Sequence, residues 1–198
     1  MIHLAALISI MVIFGLVGCD NDRPLEPAGF PTDAVVFKDE FGSSVTFQAF
    51  AGSKLDALDL DQVNTYSGSQ ALQVLVPNVG DPSGSYAGGA FTANIARDLT
   101  QYNALTFYAK ASTNATLNVA GIGNDNTGTS IFTAEVNNLE LTTEWQKYII
   151  PIPLSDKLSE EKGLFYFAEG PEEGNGYQIW FDEIIFETLG TISNPQPT

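Results

Sequence analysis

From Val35 onward the chain is cut into short runs rich in β-branched and aromatic residues, each closed by a cluster of Gly, Asn, Asp, Ser or Pro. The runs are Val35–Glu40, Val45–Phe50, Gln70–Val76, Ala90–Thr92, Ala104–Ala111, Ala115–Gly121, Ser130–Val136, Gln146–Ile152, Gly163–Ala168 and Tyr177–Phe186. Short strands punctuated by turn chemistry at this spacing predict an all-β fold, a β-sandwich of two antiparallel sheets. No stretch sustains a helical period. Leu154–Glu161 is expected to hold at most a short helical turn, capped by Ser155.

Alternation assigns faces, because successive strand residues point to opposite sides. Leu105, Phe107 and Ala109, with Leu117 and Val119 in the next run, are expected in the core. Thr106, Tyr108 and Lys110 then face outward with Asn118 and Ala120, while Trp145 is assigned to the core. The last run does not alternate cleanly across Phe181-Asp182-Glu183-Ile184, which predicts a bulge. Asp56, Asp59 and Asp61 form an acidic cluster without the Gly turn and distal Glu of an EF-hand loop, and read as a solvated strand or loop.

The N-terminus has a different character. An apolar run from Leu4 to Val17 ends in Leu16-Val17-Gly18-Cys19, which reads as a bacterial lipobox, although Met1-Ile2-His3 lacks the usual positive charge. The run suits a signal-peptide core and is short for a membrane span. Residues 1–18 are therefore expected to be a lipoprotein signal peptide, 19–34 a flexible linker, 35–187 the β-sandwich, and 188–198 a C-terminal linker, either a disordered end or the approach to a downstream module. Cys19 would carry lipid. Asp20-Asn21-Asp22 resembles the acidic export signal of surface lipoproteins in polysaccharide-degrading Gram-negative bacteria, which implies a lipid-anchored place on the outer membrane or cell surface.

That reading removes chemistry. The single histidine, His3, falls in the signal and the single cysteine, Cys19, would be lipidated. A Ser-His-Asp triad, a Cys-His pair or a zinc site of His and Cys then lacks its residue types. With 24 acidic against 8 basic residues and a formal charge of −16, attraction to nucleic acid or anionic lipid is opposed, and neutral glycans or calcium fit better.

Four segments, in order, carry a resemblance: Tyr66-Ser67-Gly68-Ser69-Gln70-Ala71-Leu72-Gln73-Val74, Asp98 through Lys110, Thr143 through Ile152, and Ile179-Trp180-Phe181-Asp182-Glu183-Ile184. Together they resemble jelly-roll carbohydrate-binding modules of the galactose-binding-domain-like fold. The resemblance implies a structural calcium joining the first strand, the segment before the Ser-Gly turn and the last strand. Asp39 or Glu40 and Asp182 would be its side-chain ligands, with backbone oxygens from around Asn64–Gly68.

A glycan site needs aromatic rings for stacking and polar groups for the hydroxyls. The candidates are Tyr86, Tyr108, Lys110, Asn118, Asn124, Tyr166, Glu169 and Trp180, with Asp125 beside Asn124. Trp180, Tyr86 and Tyr108 are expected to form a stacking platform; each could equally be packed. The leading expectation is non-catalytic capture of a polysaccharide or oligosaccharide at the cell surface, aided by glycan-utilisation partner proteins. One alternative is a protein-binding adhesion or assembly module. A carboxylate glycoside hydrolase, with Glu169 and Asp182 as its pair, is the other.

Overall fold

The computed structural model describes residues 28–190, so the proposed signal, Cys19 and the last eight residues lie outside the described part. Within it the chain forms β1 (Val35–Lys38), β2 (Glu40–Phe41), β3 (Val45–Ala49), β4 (Leu58–Asp61), β5 (Ala71–Leu75), β6 (Ala87–Arg97), β7 (Ala104–Ala111), β8 (Ala115–Ile122), β9 (Ala134–Leu141), β10 (Gln146–Pro151), β11 (Glu161–Glu169) and β12 (Gln178–Glu187). A single 3-10 turn, Ser155–Lys157, sits between β10 and β11, with Leu154 rather than Ser155 at its N-cap and no side-chain cap bond.

The strands make two sheets. A seven-stranded sheet has the order β10-β7-β12-β1-β2, with β5 also on β12 and β4 on β5; a five-stranded sheet has the order β3-β6-β11-β8-β9. Every pairing is antiparallel. Along one edge β12 pairs first with β5, through Gln178–Phe181, and then with β1, through Ile184 and Ile185. The change of partner coincides with a register shift between Asp182 and Ile185 and a positive φ of 45° at Glu183, the bulge expected from the broken alternation.

Between the sheets lies an aromatic core. Phe107 and Phe181 of the first sheet meet Phe165 and Phe167 of the second, with ring centroids 5.4 Å apart for Phe107–Phe165 and 5.3 Å for Phe167–Phe181. All four are essentially inaccessible, as are Leu105, Ala109 and Leu117. Two assignments reverse: Ala120 is fully buried in the core and Val119 is only half-buried. The alternation of β8 slips between Leu117 and Ala120, so a strict period of two carried past Leu117 gives the wrong face. Trp145 is half-buried outside the core, against Tyr66 and Lys110.

The segment before β1 is tied down. Arg97, only 1% exposed, donates to the carbonyls of Asp33, Val35 and Ser43, and Asp98 N–H donates to Pro31. Residues 31–34, expected to be flexible linker, are thus docked on the domain. At the other end Asn103 exchanges two hydrogen bonds of 2.8 Å with Leu189, carrying order past residue 187.

Candidate functional site

Hydrogen-bonded partners across antiparallel strands face the same side, so the registers write out the outer face of the five-stranded sheet row by row. One row runs Gln48, Ala90, Tyr166, Gly121, Glu135. The next runs Gly88, Ala168, Val119, Asn137, and is extended on its first side by Phe50, whose N–H donates to Gly88 at 3.1 Å. Gly and Ala at four of these positions make a low floor, in which Gly88, Ala90 and Gly121 are themselves buried.

Tyr166 occupies the middle of that floor. Its ring crosses Gly121, where an added β-carbon would sit 2.5 Å from the ring, and its hydroxyl donates to Glu135 on the far side of β8. Burial and the Glu135 charge push the Tyr166 phenol well above its usual range, and the same bond holds the Glu135 carboxyl below its own. Phe50 meets Tyr166 edge-on at 6.5 Å. Tyr86 precedes β6 on the same parity as Gly88 and Ala90 and is half-buried; its hydroxyl donates to Ala51 at 2.9 Å. The turn joining Phe50 to Lys54 is fixed beside it: Lys54 N–H donates to Tyr86, and Lys54 Nζ reaches Asp56 at 2.8 Å and Ser83 at 3.0 Å. Phe50, Tyr86 and Tyr166 thus form an aromatic shelf at one end of the face.

The other end is polar. A cavity of about 210 Å³ is lined by Gln48, Thr92, Asn94, Asp125, Thr127 and Lys162 among others. Burial opposes ionisation of Asp125, but hydrogen bonds from Thr129 and Thr127 outweigh it and hold the carboxyl well below the usual range. Asp125, 4% exposed, spends both oxygens on Thr127, Gly128 and Thr129 and so fixes the loop that walls the pocket. Behind it Glu161 is buried, taking hydrogen bonds from Ser130 and from the N–H groups of Lys162 and Gly163, and burial raises its pKa. Shelf, floor and polar pocket suit a flat, polyhydroxylated ligand, with stacking at one end and hydroxyl recognition at the other.

The expected platform of Trp180, Tyr86 and Tyr108 does not assemble. Tyr108, Lys110 and Trp180 stand on the outer face of the seven-stranded sheet, across the core from Tyr86 and Tyr166. The segment from Asp61 to Tyr66 folds over them. Asp61 accepts the Trp180 indole N–H at 2.7 Å, Asn64 accepts Lys110 Nζ at 3.0 Å, and Tyr66 stacks on Tyr108 with centroids 3.5 Å apart. Trp180 is 6% exposed as a result. The Tyr66 hydroxyl, burial and nearby Glu183 and Glu187 together push the Tyr108 phenol up to about 12. Asp59 and Asp61 do share a strand, β4, paired with β5, and Asp61 is an indole acceptor rather than a solvated end.

Asn118 and Glu169 form a clasp between β8 and β11. Asn118 N–H donates to the 2%-exposed Glu169, and Asn118 Oδ1 accepts Gly170 N–H at 3.1 Å. Burial pushes the Glu169 carboxyl up to about 7, against the opposing pull of the Asn118 N–H and of the neighbouring buried Tyr177 hydroxyl. Asn124 packs its backbone on Gly163 and its side chain accepts Asn126 N–H. Glu169 and Asp182 lie in different sheets, each turned onto backbone N–H groups, and flank no common space for acid-base work.

The proposed calcium ligands meet the Ser-Gly turn as expected, but with opposite polarity. Asp39 Oδ1 accepts N–H from Ser69 and Gln70, bonds that lower its pKa. Asp182 accepts N–H from Tyr66 and Ser67 at 2.9 and 3.1 Å and from Glu183 at 2.7 Å. Glu40 is exposed, opposite Lys38. Calcium requires six to eight oxygens. The carboxylates here are engaged by N–H donors, and among the described residues no three His, Cys, Asp or Glu gather where a metal could sit.

Sequence reasoning missed Phe50, Gln48, Glu135 and the floor itself. The signal was present in small residues at alternate positions, Gly88 and Ala90 following Tyr86, and Ala168 following Tyr166.

Residues 33–188 match the family model for carbohydrate binding domain 30. The family 30 module of the cellulosomal cellulase Cel9D-Cel44B of Clostridium thermocellum is similar over 80% of this chain and 99% of its own, at 22% identity and a TM-score of 0.55. A family 11 module of the same organism, solved in complex with a β-1,3-1,4-mixed-linked tetrasaccharide, is similar over 81% and 99%, at 12% identity and a TM-score of 0.53. Both are similar in fold. No curated protein matches the chain.

Proposed function

From the premise that the chain belongs to the carbohydrate binding domain 30 family over residues 33–188, we propose that it holds its glycan across the outer face of the five-stranded sheet. The domain binds carbohydrate without catalysing its conversion. The observation that carries the choice of face is the row Gln48, Ala90, Tyr166, Gly121, Glu135, in which Tyr166 lies flat over small buried residues and the exposed Gln48 joins the half-buried Phe50 to the polar pocket. On the opposite sheet Trp180 is 6% exposed, as Tyr166 is here, and Tyr108 is half-buried under Tyr66, so burial does not separate the two faces; the polar pocket beside the exposed Gln48 does.

The ligand class follows from charge. Glu135 and Asp125 border the face, Lys162 is the cation of the polar pocket, and the whole chain carries −16, so an uncharged polymer is favoured over an anionic one. Because a relative in fold was solved with a mixed-linked tetrasaccharide, mixed-linked β-glucan is the first ligand to test. Lipidated at Cys19, the protein would keep such a polymer at the cell surface, raising its local concentration for partner enzymes or transporters.

Affinity electrophoresis in gels containing mixed-linked β-glucan tests the face. Phe50→Ala and the exposed-site variant Gln48→Ala are expected to lose retardation relative to wild type. Unchanged retardation in both would reject this face.

A further inference from the structure

The outer face of the seven-stranded sheet retains one ring that its own contacts do not explain. Tyr66 lies nearly parallel to Tyr108, at 13° and 3.5 Å between centroids, with Trp145 edge-on at 6.0 Å and 64°. One Tyr66 face is spent on Tyr108. The residue is nonetheless 42% exposed, the most accessible aromatic of the cluster.

Its position is built rather than incidental. The backbone N–H groups of Tyr66 and Ser67 both donate to Asp182, a carboxylate only 1% exposed, and Ser67 Oγ donates to Glu183. Burying that carboxylate is costly unless it is hydrogen-bonded, and burial raises its pKa. The return is a tyrosine whose backbone is anchored and whose ring is immobilised. A rigid aromatic pays little conformational entropy when a ligand stacks on it.

The surroundings select the ligand. Cations near the ring are already matched: Lys147 pairs with Glu187 at 2.8 Å, Lys38 with Glu183 at 3.3 Å, and Lys110 Nζ donates to Asn64 while lying 5.5 Å from the Trp145 ring centre and 5.0 Å from that of Trp180. A charged partner would have to displace those pairs. An uncharged pyranose needs no charge partner: its C–H face stacks on the negative face of the ring, and its hydroxyls meet the paired ammonium and carboxylate groups.

We propose that Tyr66, flanked by Trp145, is a second glycan contact, on the sheet opposite the first, taking a single sugar ring of an uncharged polysaccharide. Two contacts on opposite sheets would let one domain bridge two chains, so polymer avidity would exceed the affinity for a short oligosaccharide. The proposal rests on carbohydrate binding by the domain; stacking at Tyr66 does not require the face assigned above, whereas bridging does.

The test uses mixed-linked β-glucan gels and five proteins: wild type, Gln48→Ala, Tyr66→Ala, Tyr66→Phe and the double variant Tyr66→Ala/Gln48→Ala, with chemical denaturation confirming that each folds. Tyr66→Ala should weaken retardation severalfold, Tyr66→Phe should restore it because the ring is retained, and the double variant should be weaker than either Ala single. Light scattering of wild type with polymer should show crosslinked particles that Tyr66→Ala does not form. Retardation of folded Tyr66→Ala equal to wild type would overturn the proposal and leave Tyr66 as a cover for Tyr108 or a protein-docking residue. Loss in Gln48→Ala alone, with Tyr66→Ala unaffected, would reject the second contact and leave the first face standing; the reverse pattern would reject the first face and keep Tyr66.

Discussion

Tyr166 reaches across the bare backbone of Gly121 to hydrogen-bond Glu135, so one side chain spans from β11 over β8 to β9. The missing side chain at Gly121 is what lets the ring lie flat, since a β-carbon there would sit 2.5 Å from it. Gly121→Val is expected to lift the ring, costing glycan affinity and about 1–3 kcal/mol of stability by overpacking. Tyr166→Phe keeps the ring in place and should retain most retardation on β-glucan. Denaturation midpoints and gel retardation on both variants check this; full affinity in folded Gly121→Val would show that the ring position is irrelevant to binding.

Asp182 is predicted to stabilise the fold without metal. Asp182→Ala strands the N–H groups of Tyr66, Ser67 and Glu183, at about 1–3 kcal/mol for each donor left buried and unpaired. Melting curves in excess calcium and in chelator should coincide for wild type, and the loss in Asp182→Ala should be the same in both. A calcium-dependent rise in melting temperature would show that the turn rearranges around a cation.

Glu169 predicts a pH signature. Its folded pKa of about 7 lies above the ordinary 4.5, so between those values the folded chain holds a proton that the unfolded chain has released. Stability from this group is therefore greatest below pH 4.5, falls as pH rises toward 7, and is flat above; at about 1.4 kcal/mol per unit the span is on the order of 3 kcal/mol. Glu169→Gln, uncharged at every pH, should lose that slope and gain on wild type above pH 7. Parallel stability-pH curves for the two proteins would contradict the assignment.

Anchoring is predicted from Leu16–Cys19. In a bacterial host, a fatty-acid analogue should label wild type and leave Cys19→Ala unlabelled. Equal labelling would remove the surface role.

The sandwich was legible because its strands carry their own punctuation: β7 begins and ends at Ala104 and Ala111 as expected, and the bulge in β12 was visible as a broken alternation. Boundaries slipped where side chains carry no period. β6 extends from Ala87 to Arg97, far beyond Ala90–Thr92, because Gly88 and Gly89 read as a turn while their backbone pairs with β11. β9 runs from Ala134 to Leu141, not Ser130–Val136, because Leu139 and Leu141 bury against the core at the end of a polar stretch. The site was half legible. Tyr166 and Trp180 were both candidates by residue type, yet which sheet each belongs to is a property of long-range pairing, and the covering of Trp180 depends on Asp61, far away in the chain. The turn around Gly68 was located by its sequence, but the same Asp residues serve as cation ligands or N–H acceptors depending on which backbone atoms face them.

The face that binds glycan is tested most directly by amide chemical-shift titration of the isotope-labelled protein with a mixed-linked β-glucan tetrasaccharide. The account predicts saturable shifts along Gln48, Ala90, Tyr166, Gly121 and Glu135, and in the Asp125 loop, whether or not Tyr66 also responds. Saturable binding that leaves all of those amides unmoved, with shifts confined to Gln73, Lys110 and Trp180, would contradict it.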